Sequence, residues 1–359
     1  MTPSQVHRFR RAAISGEYPR VTELYGPAPR TAVLTPILVT AQFGLAAILA
    51  GQPWWASLLS AICFGAFIAH RLNVIIHECA HNLVFRPTSL NKALAIFANL
   101  PAMVPAAIGF RHFHLLHHRF TGQPGLDADV APTWEARLVG RAAWRKLLWL
   151  LAMPFVYTVV HPLQVQRRLP IDFWLIANVV LVLASAVTVI LLAGWAGFAY
   201  LTLSSYFAVG PHPTGAHILQ EHIIFDGCYE TSSYYGPINA ISGNIGFHVE
   251  HHDFTNVPGC RIADLHRMAS TYYHGRFFHR SRLQSLWRFV TDRSIGLDSR
   301  VTVNNMNMTG EAASQSAWSV RYGSRTPNAC IASTCDAGSA SSEAELKASP
   351  VRALVRTED

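Results

Sequence analysis

Eighteen histidines in 359 residues open the question of chemistry, because eight of them fall into three tight sets. His77-Glu78-Cys79-Ala80-His81 places two imidazoles four residues apart, on one face of a helix. His114-Leu115-Leu116-His117-His118 and His248-Val249-Glu250-His251-His252 each place three imidazoles at i, i+3 and i+4, on one side of a helical turn. One tetrahedral zinc takes at most four ligands. His77, His81, His114, His117, His118, His248, His251 and His252 therefore suit two metal ions with several nitrogens each and positions left open. Imidazole serves iron, copper, zinc and nickel alike, so the ligands alone do not choose the metal.

Taken alone, the first set has a rival reading, since H-E-x-x-H is the zinc-metalloprotease signature with the Glu as general base. That reading leaves the other six histidines unused. The six cysteines show no C-x-x-C spacing, so neither a thiolate metal site nor a disulfide framework is expected.

The elements that must position these sets are apolar. Half of the residues are hydrophobic and 14% are charged, against about 25% charged in a typical soluble domain. That excludes a disordered chain and favours a multi-pass membrane protein with a polar domain. Uncharged runs predict about four transmembrane helices in two hairpins, at about 31–50, 54–76, 173–193 and 196–212. Turns at Gly51-Gln52-Pro53 and at Gly194-Trp195-Ala196-Gly197 divide each pair. The stretches 93–110, with Pro101 and Pro105, and 147–160, about 14 residues long, are expected to be interfacial or partly embedded.

The net charge of +8 comes from 26 Arg and 3 Lys scattered without a block. It reads as the positive-inside bias of membrane proteins, with no nucleic-acid partner implied. Both hairpin turns lack basic residues, so the termini and the segment from 77 to 171 are expected on the cytoplasmic side. Residues 1–30 form a polar, Arg-rich cytoplasmic segment without a signal-peptide core. Residues 31–305 form the membrane domain, and 306–359, rich in Ser, Ala, Thr and Gly, are expected to be a disordered tail.

With these motifs in view, the chain resembles the membrane-bound fatty-acid desaturase and hydroxylase superfamily, and within it the sphingolipid delta-4 desaturase (dihydroceramide desaturase) group. The stretch from His114 through His117-His118-Arg119-Phe120 to Gly125-Leu126-Asp127-Ala128-Asp129 is similar to that group's second box. Asn244-Ile245-Gly246-Phe247-His248 through Asp253-Phe254 is similar to its third, and Glu230 through Pro237 to its E-T-x-S-Y-Y-G-P. The likeness runs from about His7 to about Val301.

This resemblance implies an all-α fold whose cytoplasmic helical cap holds a histidine-ligated di-iron site. It implies a trans double bond placed at C4–C5 of the sphinganine base of dihydroceramide, at the expense of O2, to give ceramide. C4-hydroxylation on the same site is the alternative. Electrons would come from NADH through cytochrome b5 and its reductase or an equivalent donor, external to the chain. The membrane would be the endoplasmic reticulum in a eukaryote or the inner membrane in a bacterium. No catalytic residue beyond the metal centre and no further cofactor-binding residue is implied.

The resemblance also implies one more metal histidine ahead of the third box. His222 matches that place best and His217 less well. Asp127, Asp129, Glu250 and Asp253 are candidates to orient ligating imidazoles, with capping and surface solvation as the competing reading. Asn244 is a candidate to hold a metal-bound water, and Glu78 to hydrogen-bond a ligand. His112 is expected at the surface. His7, His70, His161, His266, His274 and His279 show no paired spacing.

Overall fold

The computed structural model describes residues 1–227 and 229–303; the expected tail at 306–359 lies outside the described residues. The chain is almost wholly helical. Helix α1 (Pro3–Glu17) starts at a capping box between Thr2 and Gln5. Helix α2 (Arg30–Ile48) and helix α3 (Trp54–Ala80) form the first hairpin around Gly51, whose φ of 73° suits the turn. Helix α3 outruns its expected end at 76 and carries His77 on its last turn. Arg111 caps that end, donating to Cys79 O at 3.0 Å and to Ala80 O, which satisfies carbonyls the helix leaves open.

Helices α4 (Thr88–Asn99) and α5 (Ala107–Phe120) are bent against each other by 117° where they continue through Leu100–Ala102. The break is organised by the buried Asn99. Its Nδ2 donates to Val104 O at 3.0 Å, and its Oδ1 accepts from Ala106 N, Ala107 N and Asn178 Nδ2 at 2.9–3.1 Å. Sequence places two prolines here. The structure adds a polar pin that meets the orphan amides at the start of α5.

Helix α6 (Ala143–Gln164) is 22 residues long and, by length and composition, could cross a membrane. The 14-residue window expected from sequence understated it, because Trp144, Arg145 and Lys146 belong to the helix and Pro154 does not end it. Both of its ends are nonetheless tied to the polar region. Lys146 Nζ donates to Asp292 O at 2.7 Å and to Ile295 O at 3.0 Å. At the other end His161 Nε2 pairs with Glu135 at 2.7 Å, and Gln166 N donates to Gly125 O.

The long element α7 (Phe173–Val209) holds non-helical backbone at Gly194, φ 63° and ψ −171°. The break falls within 194–197, where the turn of the second hairpin is expected. Asp172, at the start, lies 3.6 Å from Lys92, whereas Ala196 O accepts from Ser57 Oγ near the first hairpin's turn. The second half ends at Val209, three residues before the expected 212.

Helix α7 approaches α3 closely at a π-helical turn, Ala61–Gly65. A Cβ on Gly65 would stand 2.0 Å from Ser204 Oγ, so only glycine admits the neighbour. Gly65 O instead accepts from Gln42 Nε2 at 3.0 Å, and Tyr200 Oη donates to Gln42 Oε1 at 2.7 Å. Three elements are thus joined through one glutamine in an otherwise apolar layer of Ala46, Ala61, Val189 and Leu201.

Beyond α7 the chain builds a polar cap. Helices α8 (Ala216–His222), α9 (His248–Asp253), α10 (Gly259–Met268) and α11 (Arg282–Thr291) are joined by loops and one two-residue parallel ladder, Ser233–Tyr234 with Phe278–His279. Helix α1 closes the cap through Ile14, which packs with Val249, Phe254 and Leu265.

Candidate metal centre

Four helix ends bring the histidines together. The end of α3 supplies His77 and His81, with ring centroids 5.0 Å apart. The end of α5 supplies His114, His117 and His118. Helix α9 supplies His248, His251 and His252, and the end of α8 supplies His222. These nine divide into two groups, each with nitrogens within 4.8 Å of one another. The first holds His77, His81, His114, His118 and His251, and the second His117, His222, His248 and His252. The groups touch, since the rings of His118 and His252 are 4.2 Å apart.

The same nitrogen of each ring points inward. Nε2–Nε2 distances are 2.9 Å for His81–His114, 3.0 Å for His114–His118 and 3.1 Å for His118–His251 and His251–His77. In the second group His222–His248 is 3.1 Å and His117–His252 is 3.4 Å. A neutral imidazole has a single N–H, so five converging Nε2 atoms cannot satisfy one another by hydrogen bonds alone. Convergent lone pairs on two points are what two cations with nitrogen ligands require. Burial holds His222, His248, His251 and His252 well below the ordinary imidazole range. They are neutral at pH 7, the form that ligates.

The neighbouring carboxylates divide sharply. Asp127 Oδ1 is 2.9 Å from His117 Nδ1 and also accepts from Asp129 N, while Asp127 Oδ2 accepts from Gly122 N. That contact fixes the proton on Nδ1 and aims Nε2 inward. Asp129 is 3.6 Å from the same nitrogen and 3.1 Å from Arg300.

Glu250 and Asp253 do not touch the nine. Glu250 accepts from Ser233 Oγ and Tyr235 Oη and pairs with His266. Asp253 pairs with His7 and Arg10, because both carboxylates point from α9 towards the cap and away from the clusters. Glu78 departs likewise. It accepts from Thr31 Oγ1 at 2.8 Å and Gly259 N at 2.9 Å, so it joins α2 to α10 instead of bonding a box histidine. Asn244, at φ 64°, donates to Gly259 O and lines a cavity of about 20 Å³ against His77 and His251. That is space for a water.

His217 is not among the nine. Its Nδ1 faces Thr214 O at 2.7 Å and its ring meets His70. His112, expected at the surface, is half-buried with Nε2 3.3 Å from Arg167 O, and belongs to neither group.

Two contributors escaped sequence reasoning. Glu221 Oε1 lies 3.4 Å from His248 Nδ1, and burial, reinforced by Asp129, pushes its pKa up to about 8. His7 places its ring 4.9 Å from that of His252 while pairing with Asp253. No local spacing signals either contact, because only the fold brings the partners together.

Comparison with known proteins points one way. The family model described as fatty acid desaturase matches residues 53–282. A protein of Arabidopsis thaliana named sphingolipid delta(4)-desaturase DES1-like is 37% identical over 295 residues, 82% of this chain and 88% of its own length. The sphingolipid delta(4)-desaturase of Drosophila melanogaster is 36% identical over 82% of the chain and 92% of its own. A Homo sapiens protein named sphingolipid delta(4)-desaturase/C4-monooxygenase is 38% identical over 83% of the chain and 92% of its own.

Proposed function

The chain belongs to the fatty acid desaturase family, and from that membership we propose that it places a trans double bond at C4–C5 of the sphinganine base of dihydroceramide. It is an integral membrane oxidoreductase acting on a lipid with O2. The observation that carries the reading is the gathering of nine histidines into adjacent groups of five and four.

In this reading the nine hold two iron ions. With O2 and two electrons, such a pair supplies the oxidising power to take hydrogen from an unactivated methylene. The balance for desaturation is one CH2–CH2 unit, O2, two electrons and two protons giving one CH=CH and two waters. The electrons come from NADH through cytochrome b5 and its reductase, or an equivalent donor.

What the chain contributes is geometry. Three neighbours stand against the ligand rings: Asp127 holds His117 by a hydrogen bond, Glu221 lies 3.4 Å from His248 Nδ1, and the His7 ring packs against His252. The apolar layers around α2, α3 and α7 exclude water and align an acyl chain. Termini and cap face the cytoplasm, at the endoplasmic reticulum in a eukaryotic cell or the inner membrane in a bacterial one. Helix α6, tied to the cap at both ends, lies along that face.

C4-hydroxylation is the second reading, favoured by the combined name of the Homo sapiens relative. It uses the same site and differs in returning one oxygen atom to C4, with one water released. The protease reading fails on the grouping of the histidines: His77 and His81 converge with His114, His118 and His251, beside a second group of four, where one tetrahedral zinc takes four ligands.

Membranes containing the protein, given isotope-labelled dihydroceramide, NADH and O2, should yield labelled ceramide by mass spectrometry. Labelled 4-hydroxy product alone would establish the second reading. Neither product in the presence of a competent donor would reject both.

A further inference from the structure

The cap carries a second cavity, of about 360 Å³, to which none of the nine histidines contributes. Its polar walls are Arg276, His279, Arg280, Gln284, Ser285 and Arg288. Among the described residues, no carboxylate lines it. Glu230, beside Arg276 at 2.8 Å, is shared with Arg10 at 2.6 Å, and Asp292 reaches Arg288 only at 4.0 Å. Arg276 Nε and His279 Nε2 are buried without a hydrogen-bond partner. Three guanidiniums around an open space, with hydrogen-bonding capacity unspent, describe an anion site.

The surroundings identify the anion's carrier. On α11, Gln284 and Arg288 line the cavity, while Leu283 and Trp287, each one residue earlier, are 64% and 69% exposed. One residue is about 100° of helix, so an apolar strip runs directly beside the cationic one. Helix α6 packs against α11 through Trp149 and Phe289, with centroids 5.6 Å apart. Its own outward residues include Trp144, Leu147, Leu148 and Leu151, all exposed. Two helices packed on each other thus both expose apolar side chains, and one of them is apolar enough to enter a membrane. Exposed Trp and Leu beside Arg is the pattern of a helix lying in the headgroup layer.

We propose that this cavity binds the phosphate headgroup of an anionic membrane lipid, with Arg276, Arg280 and Arg288 as its contacts and Leu283 and Trp287 among the acyl chains. Dihydroceramide carries no anionic group, so the ligand is not the substrate. The volume is on the order of ten water molecules at about 30 Å³ each, more than a bare phosphate ion fills. The site is independent of the reaction proposed above, and its test does not read turnover.

The full chain is purified in neutral detergent and placed in phosphatidylcholine nanodiscs containing a minor fraction of phosphatidylglycerol. Lipids retained after re-extraction are counted by native mass spectrometry. Wild type should keep one phosphatidylglycerol. The R280Q/R288Q variant should bind it on the order of 30-fold more weakly, for two lost cationic contacts, with metal content unchanged. Trp287→Ala should weaken retention while leaving the charge intact. Equal retention by wild type and the double variant overturns the proposal. So does full displacement by inorganic phosphate, which would make this a free-anion site. Undiminished lipid retention with lost binding of an acidic electron-carrier protein would make it a protein-docking surface instead.

Discussion

His222 is the residue on which the two-group arrangement turns. Without it the second group falls to three nitrogens, while the first keeps five. His222→Ala should therefore lower bound iron and turnover together, and His112→Ala, outside both histidine groups, should leave both nearly unchanged. Metal analysis of the purified variants decides it; equal iron in wild type and His222→Ala removes the residue from the ligand set. A second residue-scale consequence concerns acid. Burial opposes ionisation of Glu230, but Arg276 and Arg10 overcome it and hold the carboxyl below its ordinary range. A carboxylate so depressed adds stability above its unfolded value of about 4.3, and that stability is lost as pH falls through the folded value. Glu230→Gln should thus destabilise at pH 7, by about 3–5 kcal/mol for a broken buried pair, and flatten the acid limb below about pH 4. Thermal unfolding followed by tryptophan fluorescence across pH reads both. A parallel acid limb in the variant would show that Glu230 is not the titrating group.

The helices show what a sequence can and cannot disclose about its elements. Helices α2 and α3 are legible because no charge interrupts 31–52 or 53–69, and the boxes because i and i+4 are neighbours on any helix. Helix α6 looks shorter in the sequence than in the structure because its apolar run begins only after Arg145 and Lys146. In the structure Lys146 is buried and caps backbone carbonyls of the loop at 292–295. Glu250 and Asp253 were candidates by proximity in the chain, yet on a six-residue helix they project away from their histidine neighbours. The break between α4 and α5 was legible as two prolines but not as an Asn99 pin. Asn99→Ala would strand the buried amide of Ala107 and the side-chain amide of Asn178, at about 1–3 kcal/mol for each unmet group. Because α5 carries His114, His117 and His118, the variant should lose iron as well as thermal stability. Full iron with lowered stability would confine Asn99 to the fold.

Across the whole molecule, the N-terminal helix and the last described residues both close on the metal region. Ile223 bridges Arg300, Val301 N donates to His222 O at 2.9 Å, and Val303 N donates to Gly122 O at 2.9 Å. A chain cut after Asn305 keeps those bonds and should retain desaturation, whereas one cut after Ser299 should lose iron first at the four-histidine group. Normal insertion with lost turnover in the longer truncation would show that 306–359 serve the reaction. These closures are not legible in the sequence, since the contacts join residues far apart in the chain and depend on no local pattern.

The junction of Arg10 with Asp253 spans 243 residues, and that interval is also a measure of time. At 5–20 residues per second, a ribosome needs on the order of tens of seconds to travel from one partner to the other. During that time α1 is complete, capped and carrying a guanidinium with no carboxylate to receive it. His77 and His81 likewise emerge long before His251. The hairpins can enter the bilayer as they appear, but the two histidine groups are incomplete until the third box has left the exit tunnel. A nascent chain stalled before residue 253 would be a membrane protein already in place with an unformed centre.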